Sequence, residues 1–214
     1  MSAKPNLRIG LIAILAATAG LFLARALLTP RVTPPPATES ATILPQPRAL
    51  PALTLVDQDG RPLPAGFLRD RWTVVFFGFT QCPDICPGTL AVLAQLKKEL
   101  ADLPATEQPH VLLISVDPER DTPAVLKAYV TFFDPSFSAA TGTVAGATQA
   151  ATAFSVPFAK VPLPEGGYTM DHGAGLFVVS PAGALAAYSS PPHSAPVLAR
   201  DYRKVVQYYE DSRR

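Results

Sequence analysis

The sequence predicts a three-layer α/β domain with a mixed central sheet, preceded by a single N-terminal transmembrane helix. Three observations carry that expectation. Two wholly apolar runs rich in β-branched and aromatic residues, Trp72–Phe79 (WTVVFFGF) and Val111–Val116 (VLLISV), are each followed by a helical pattern. Leu176–Ser180 and Leu185–Ser189 bracket Pro181-Ala182-Gly183, which reads as an antiparallel hairpin. Near the start, Ile9–Leu28 is apolar apart from Thr18 and Arg25.

The chain has 214 residues, of which 48% are hydrophobic and only 16% charged, and part of the apolar excess lies in the 9–28 run. At 1.5 Å rise per residue about twenty apolar residues cover a bilayer core of roughly 30 Å. Lys4 and Arg8 precede the run, which keeps residues 1–8 cytoplasmic and sends the remainder across the membrane. The competing reading is a cleaved signal peptide with Ala24-Arg25-Ala26 as its site. The run's length and the Arg within the site count against it. Either way the domain is exported, and a single-pass anchor leaves it facing the periplasm or an equivalent compartment. Net charge is +1, so electrostatics give no reason to propose a nucleic-acid partner.

Residues 29–51 are rich in Pro, Thr and Ala without apolar periodicity, and read as a semi-rigid spacer ahead of a domain over 52–214. Leu53–Val56 reads as a short strand before a turn at Asp57-Gln58-Asp59-Gly60. Trp72–Phe79 and Val111–Val116 have the continuous apolar character of strands buried on both faces. Thr89–Leu100 is helical, with Leu93, Leu96 and Leu100 on one face. Asp121, Thr122 and Pro123 supply a cap and first-turn proline for a helix ending at Phe133. Phe137–Thr141 reads as a short strand and Val144–Phe154 as a helix. Pro196–Asp211 closes the chain as an amphipathic helix with Val197, Val205 and Tyr208 on its buried face. Strand, helix, strand, helix, strand pair and last helix, with right-handed crossovers, is an order that fits a thioredoxin-like fold.

The chain's only two cysteines stand four apart in Phe77-Gly78-Phe79-Thr80-Gln81-Cys82-Pro83-Asp84-Ile85-Cys86-Pro87, where a buried strand runs into a helix. The helix N-terminus brings orphan N–H groups and partial positive charge, which favour thiolate over thiol. Pro83 and Pro87 lack a donor and each suits a first turn. Such a pair can bridge, exchange disulfides or share a metal ion. Two thiolates favour copper, zinc or iron–sulfur centres. Three histidines could supply a further ligand. His172 lies in a loop before the strand near Leu176, which in a thioredoxin-like sheet faces the cysteine loop. His110 precedes a buried strand at the opposite end, and His193 sits in a loop before the last helix.

FFGFTQCPDICPGTL, LISVDPERDTP and YTMDHGAGLFVVSPAG resemble the signature blocks of the Sco/SenC family of copper-binding, membrane-anchored thioredoxin-like proteins. The resemblance runs from about Leu50 to Val206 and extends to the anchor and the Pro-rich spacer. It implies that Cys82, Cys86 and His172 bind copper, as Cu(I) or Cu(II). Gly173 stands where the family usually has Ser, and Met170 where Val or Ile is common. Met170 reads as a gap-filling bystander. Asp84 and Asp171 neighbour the ligands and could hydrogen-bond around them or orient His172, with a loop cap the alternative reading for Asp84. Asp117 and Asp121 read as turn-shaping and helix-capping residues.

The resemblance implies a metallochaperone, needing no turnover, that delivers copper to the CuA centre of a cytochrome c oxidase subunit. Other periplasmic copper chaperones or thiol reductants are further expected partners. The alternative is a membrane-anchored thiol–disulfide oxidoreductase that keeps a partner's cysteines reduced, using Cys82 and Cys86. Resolving chemistry usually uses Cys-x-x-Cys, so the extra residue weakens that reading. A structural disulfide would close too short a loop to stabilise much. Structural zinc almost always has four protein ligands, against three convincing ones here.

Overall fold

The computed structural model describes residues 5–28 and 34–212. They fall into two compact units, divided at Pro34 and Pro35. In the first, helix α1 spans Pro5–Leu28, and its described side chains from Gly10 to Leu23 are all exposed. Among the described residues no helix is long and apolar enough to cross a membrane. Residues 1–4 of the segment expected to be cytoplasmic, and 29–33 of the spacer, lie outside the described residues.

The second unit holds nine strands and four helices. In chain order they are β1 (Ala41–Ala49), β2 (Val56–Asp57), β3 (Thr73–Gly78), α2 (Ile85–Glu99), β4 (His110–Ser115), α3 (Pro123–Phe133), β5 (Ser138–Thr141) and α4 (Val144–Phe154). Then follow β6 (Phe158–Pro162), β7 (Tyr168–His172), β8 (Leu176–Val179), β9 (Ala184–Ser189) and α5 (Ala195–Asp211). Seven strands form one sheet in the order β1-β9-β8-β3-β4-β5-β2, while β6 and β7 pair separately. β3, β4 and β5 are parallel, and β8, β9, β1 and β2 join antiparallel, so the sheet is mixed as expected.

Every residue of β3 is buried, so both faces of the sheet centre are covered. Alternation along β3 shows by what. Phe77 meets Phe154 of α4 at 5.3 Å between ring centroids, whereas Phe76 and Gly78 point to the side where α2 brings Cys86. Trp72 lies on that same side and packs edge-on against Tyr202 of α5. Helices therefore lie on both faces, which is the three-layer arrangement. α3 starts at a Thr122 side-chain cap with Pro123 in the first turn, and α4 at a Thr143 cap.

Four expectations need correction. The spacer read to residue 51 ends earlier, because Ala41–Ala49 is an edge strand paired with β9 and interrupted between Ile43 and Arg48. Pro45 and Pro47 hid it, yet an edge strand tolerates residues without an N–H donor. The start of this strand is clamped by Asp201 of α5, a buried carboxylate that accepts from the amides of Glu39, Ser40 and Ala41 at 2.7–3.1 Å. The strand expected at Leu53–Val56 contributes only Val56–Asp57, although Leu53 and Leu55 are buried. On α5 the buried face is Leu198, Tyr202, Val205 and Tyr209, while Val197 and Tyr208 are half-buried. Finally, Asp121 does not cap α3; Thr122 does.

Candidate metal centre

β3 delivers the chain to the C-terminal end of the sheet, and the cysteine loop turns there into α2. The helix begins at Ile85, so Cys86 and Pro87 lie in its first turn and Pro83 stands before it. Cys86 is fully buried and Cys82 partly exposed, and both are free thiols. The Cys86 amide points at Cys82 Sγ at 3.4 Å, so the donor end of α2 faces the outer sulfur. Burial pushes the Cys86 thiol well above its ordinary value; a hydrogen bond with the Phe79 backbone opposes the rise, and Cys82 adds to it.

Gly78 permits this packing. A Cβ there would lie 2.9 Å from Cys86 Sγ and 2.9 Å from Phe76 Cζ, closer than real contacts allow. Asp121 fixes the loop from below. Its buried carboxylate accepts from the Thr80 amide at 3.2 Å, from Thr80 Oγ1 at 2.6 Å and from Ser115 Oγ at 2.6 Å. Burial raises its pKa against the pull of these bonds.

His172 is not in a loop. It is the last residue of β7, in a two-stranded arm that sequence reading missed because Pro162, Pro164, Gly166 and Gly167 obscure the alternation. Its Nδ1 lies 3.1 Å from the Gly173 carbonyl, which can only accept, so Nδ1 carries the proton. Nε2 is left with its lone pair facing Cys86 Sγ at 3.5 Å. Phe79 and Phe76 enclose the ring edge-on, at 5.8 and 6.4 Å between centroids. Burial lowers the His172 pKa, partly offset by the Gly173 carbonyl and Asp171, which favours the uncharged imidazole that can ligate. The ligand atoms of Cys82, Cys86 and His172 all lie within 4.8 Å of one another.

The other candidates are placed differently. Asp84 sits at the cap position of α2 without a side-chain capping bond, and it is exposed. Asp171 is also exposed, and the Gly173 carbonyl rather than either aspartate holds the imidazole. Met170 is buried and lines a small cavity with Val116, Ala147 and Phe158, as a filler would. At Gly173 an added Cβ would meet Pro157 at 3.4 Å, ordinary contact, so the residue is not forced to be glycine. His110 pairs with Thr73 at the far end of β3 from Gly78. His193 lies outside the cluster of Cys82, Cys86 and His172, and its Nε2 donates to the Ala174 carbonyl at 2.8 Å, which steadies the segment after His172.

Sequence reading missed the side chains that join these parts. Asp117 is buried and accepts from the Tyr168 hydroxyl at 2.9 Å and from Arg120, so it links two segments rather than only shaping a turn. A shallow cleft of about 260 Å³ opens beside His172, lined by Pro157, Phe158, Ala159, Asp171 and Gly173. A larger cavity of about 470 Å³, between Leu50–Leu53 and Ala65–Arg69, touches none of the three ligand residues. Chemistry rather than size therefore marks the site.

A thioredoxin-like sheet whose helix-opening dithiol is joined by one imidazole defines a class of metal-handling, thiol-bearing proteins. The chain belongs to the SCO1/SenC family, whose pattern matches residues 43–207. A protein of Stutzerimonas stutzeri named for copper binding is 39% identical over 152 residues, covering 70% of this chain and 73% of its own. The mitochondrial SCO2 homolog of Bos taurus is 34% identical over 152 residues, 71% of this chain but only 57% of that one, so the match spans under two thirds of its length. Among solved structures, ScoI of Arabidopsis thaliana with copper bound superimposes with a TM-score of 0.69 at 28% identity, over 74% of this chain and 99% of that one. ScoI of Bradyrhizobium japonicum with copper bound gives 0.64 at 31% identity, over 73% and 99%.

Proposed function

We propose that the domain is a copper carrier in which Cys82, Cys86 and His172 hold the ion as cargo and pass it to the CuA centre of a cytochrome c oxidase subunit. The observation that carries this is the convergence of two thiols and one imidazole within 4.8 Å. That donor set suits Cu(I), and with an added water or carboxylate it suits Cu(II). It is one ligand short of structural zinc. Relatives named for copper or solved with copper bound support the same reading.

The three residues divide the work by depth. Cys86, buried in the first turn of α2, retains the ion. Cys82 is partly exposed, so an acceptor's ligand can approach the ion from its side. His172 is the neutral ligand and the easiest to displace. Phe76 and Phe79 pack edge-on against its ring.

The alternative use of the dithiol, reducing a partner's disulfide, does not require the imidazole. His172→Ala should therefore retain any reductase activity but fail to restore oxidase activity to a deletion strain when copper is scarce. Restoration equal to wild type at low copper, with Cys82→Ala inactive, would favour the reductase.

We also infer that 9–28 anchors the domain in the inner membrane, with 1–8 cytoplasmic and the domain in the periplasm. Support for this comes from the sequence, since 9–28 is apolar apart from Thr18 and Arg25 and is preceded by Lys4 and Arg8, and not from the described part of α1. The chain should remain with the membrane fraction; a mature form starting near Leu27 by mass spectrometry would contradict the anchor.

A further inference from the structure

The arm that carries His172 is a separate two-stranded sheet, so something must set its distance from the cysteine loop. Arg120, in the turn between β4 and α3, touches both. Its Nη1 donates to Gln81 Oε1, next to Cys82, at 2.9 Å and to the Tyr168 carbonyl of β7 at 2.9 Å. Its Nε donates to the buried carboxylate of Asp117, which also receives the Tyr168 hydroxyl at 2.9 Å. The guanidinium plane stacks 3.8 Å from the centroid of the Tyr168 ring and lies 5.8 Å from that of Phe79, the residue that walls His172. Apart from the ligands themselves, it is the one side chain among the described residues that hydrogen-bonds both the cysteine loop and β7.

Of the remaining polar ties between arm and body, the Tyr168 hydroxyl reaches Asp117, which is Arg120's own partner, and Glu119 at 3.4 Å, and the third is an ion pair at the surface. Lys160 pairs with Glu119, but both are about half exposed, and such pairs contribute little. Arg120 has only 22% of its side chain exposed, and its fork fits several acceptors at once, which a lysine cannot do. Its Nη2 is buried without an acceptor, so the contacts of the other two nitrogens and the ring stack hold it in place.

We propose that Arg120 is a positioning residue of the metal centre: it latches the β6–β7 arm to the cysteine loop and so sets where His172 stands relative to the two sulfurs. Its bearing on the ion rests on the copper reading above, whereas the latch itself is a property of the metal-free protein. Breaking it leaves the cysteine loop held by Asp121 through Thr80 and acts chiefly on the third ligand.

The test begins without metal. Hydrogen–deuterium exchange is followed by mass spectrometry on the purified, reduced full chain. Arg120→Met should speed exchange of peptides covering 158–172 by about tenfold, the scale of losing a charge-assisted bond, with β3 and β4 unchanged. Gln81→Ala, an exposed change that spares the Asp117 pair, should shift the same peptides by about two- to threefold, and it carries the test if Arg120→Met fails to fold. Unchanged arm exchange in the folded variants, or acceleration spread evenly over all strands, overturns the latch. With Cu(II) added, Arg120→Met should alter the absorption spectrum as His172→Ala does, and the double variant no further; additive changes overturn the link to His172. Absence of any Cu(II) spectrum in the wild type would defeat the copper reading instead, leaving the exchange result to stand by itself.

Discussion

At the scale of single residues, the centre depends on groups that never touch an ion. Gly78 clears the space into which Cys86 Sγ packs, and Asp121 holds Thr80 so that the loop after β3 keeps one course. His110 marks the other end of the sheet, and it should be visible in stability rather than in copper binding. Burial, with smaller repulsion from Arg71 and Lys97, lowers its pKa from 6.5 to about 4. Between those values the unfolded chain binds a proton that the folded chain refuses. The histidine's contribution is thus complete above the unfolded value and is lost as pH falls towards the folded one. From pH 7.5 to 4.5 this is on the order of 2 kcal/mol. Denaturant unfolding at both pH values should show the wild type losing about that much more than His110→Gln; equal losses would contradict the assignment. The three candidate ligands were legible as a group, because Cys82, Cys86 and His172 stand in motif blocks and their ligand atoms come within 4.8 Å of one another. Gly78 and Arg120 were not, because their roles lie in sulfur clearance and in bonds to residues 39 and 48 positions away.

Elements carry the same lesson at longer range. Trp72–Phe79 and Val111–Val116 were readable because strands buried on both faces leave continuous apolar runs, and α4 because its bounds coincide with a stretch of small residues between Thr143 and Ser155. β1 and the β6–β7 arm were not, since their prolines and glycines imitate linkers. What holds β1 in place is a tertiary contact with α5. Asp201→Ala should leave the amides of Glu39, Ser40 and Ala41 and the Ser40 hydroxyl without their acceptor, costing on the order of 2–4 kcal/mol. Urea unfolding checks the magnitude, and limited proteolysis should show new cleavage within 37–49. A variant with wild-type stability and no new cleavage would mean that β1 docks through its sheet pairing alone.

For the whole molecule, the sheet brings together at one end what the chain keeps 86 residues apart, Cys86 and His172. The loop after β3 and the first turn of α2 hold the dithiol, and the separate arm brings the imidazole. On the proposed copper-carrier reading, that division lets the third ligand leave without disturbing the other two, which is what a carrier requires and a structural site does not. The most direct test is copper analysis of the purified, reduced chain after titration and removal of free metal, in the wild type and in Cys82→Ala, Cys86→Ala and His172→Ala. One copper per chain is expected in the wild type. Tight binding should be lost in either cysteine variant and weakened, with an altered Cu(II) spectrum, in His172→Ala. Full, tight copper binding by Cys82→Ala or Cys86→Ala would contradict the site.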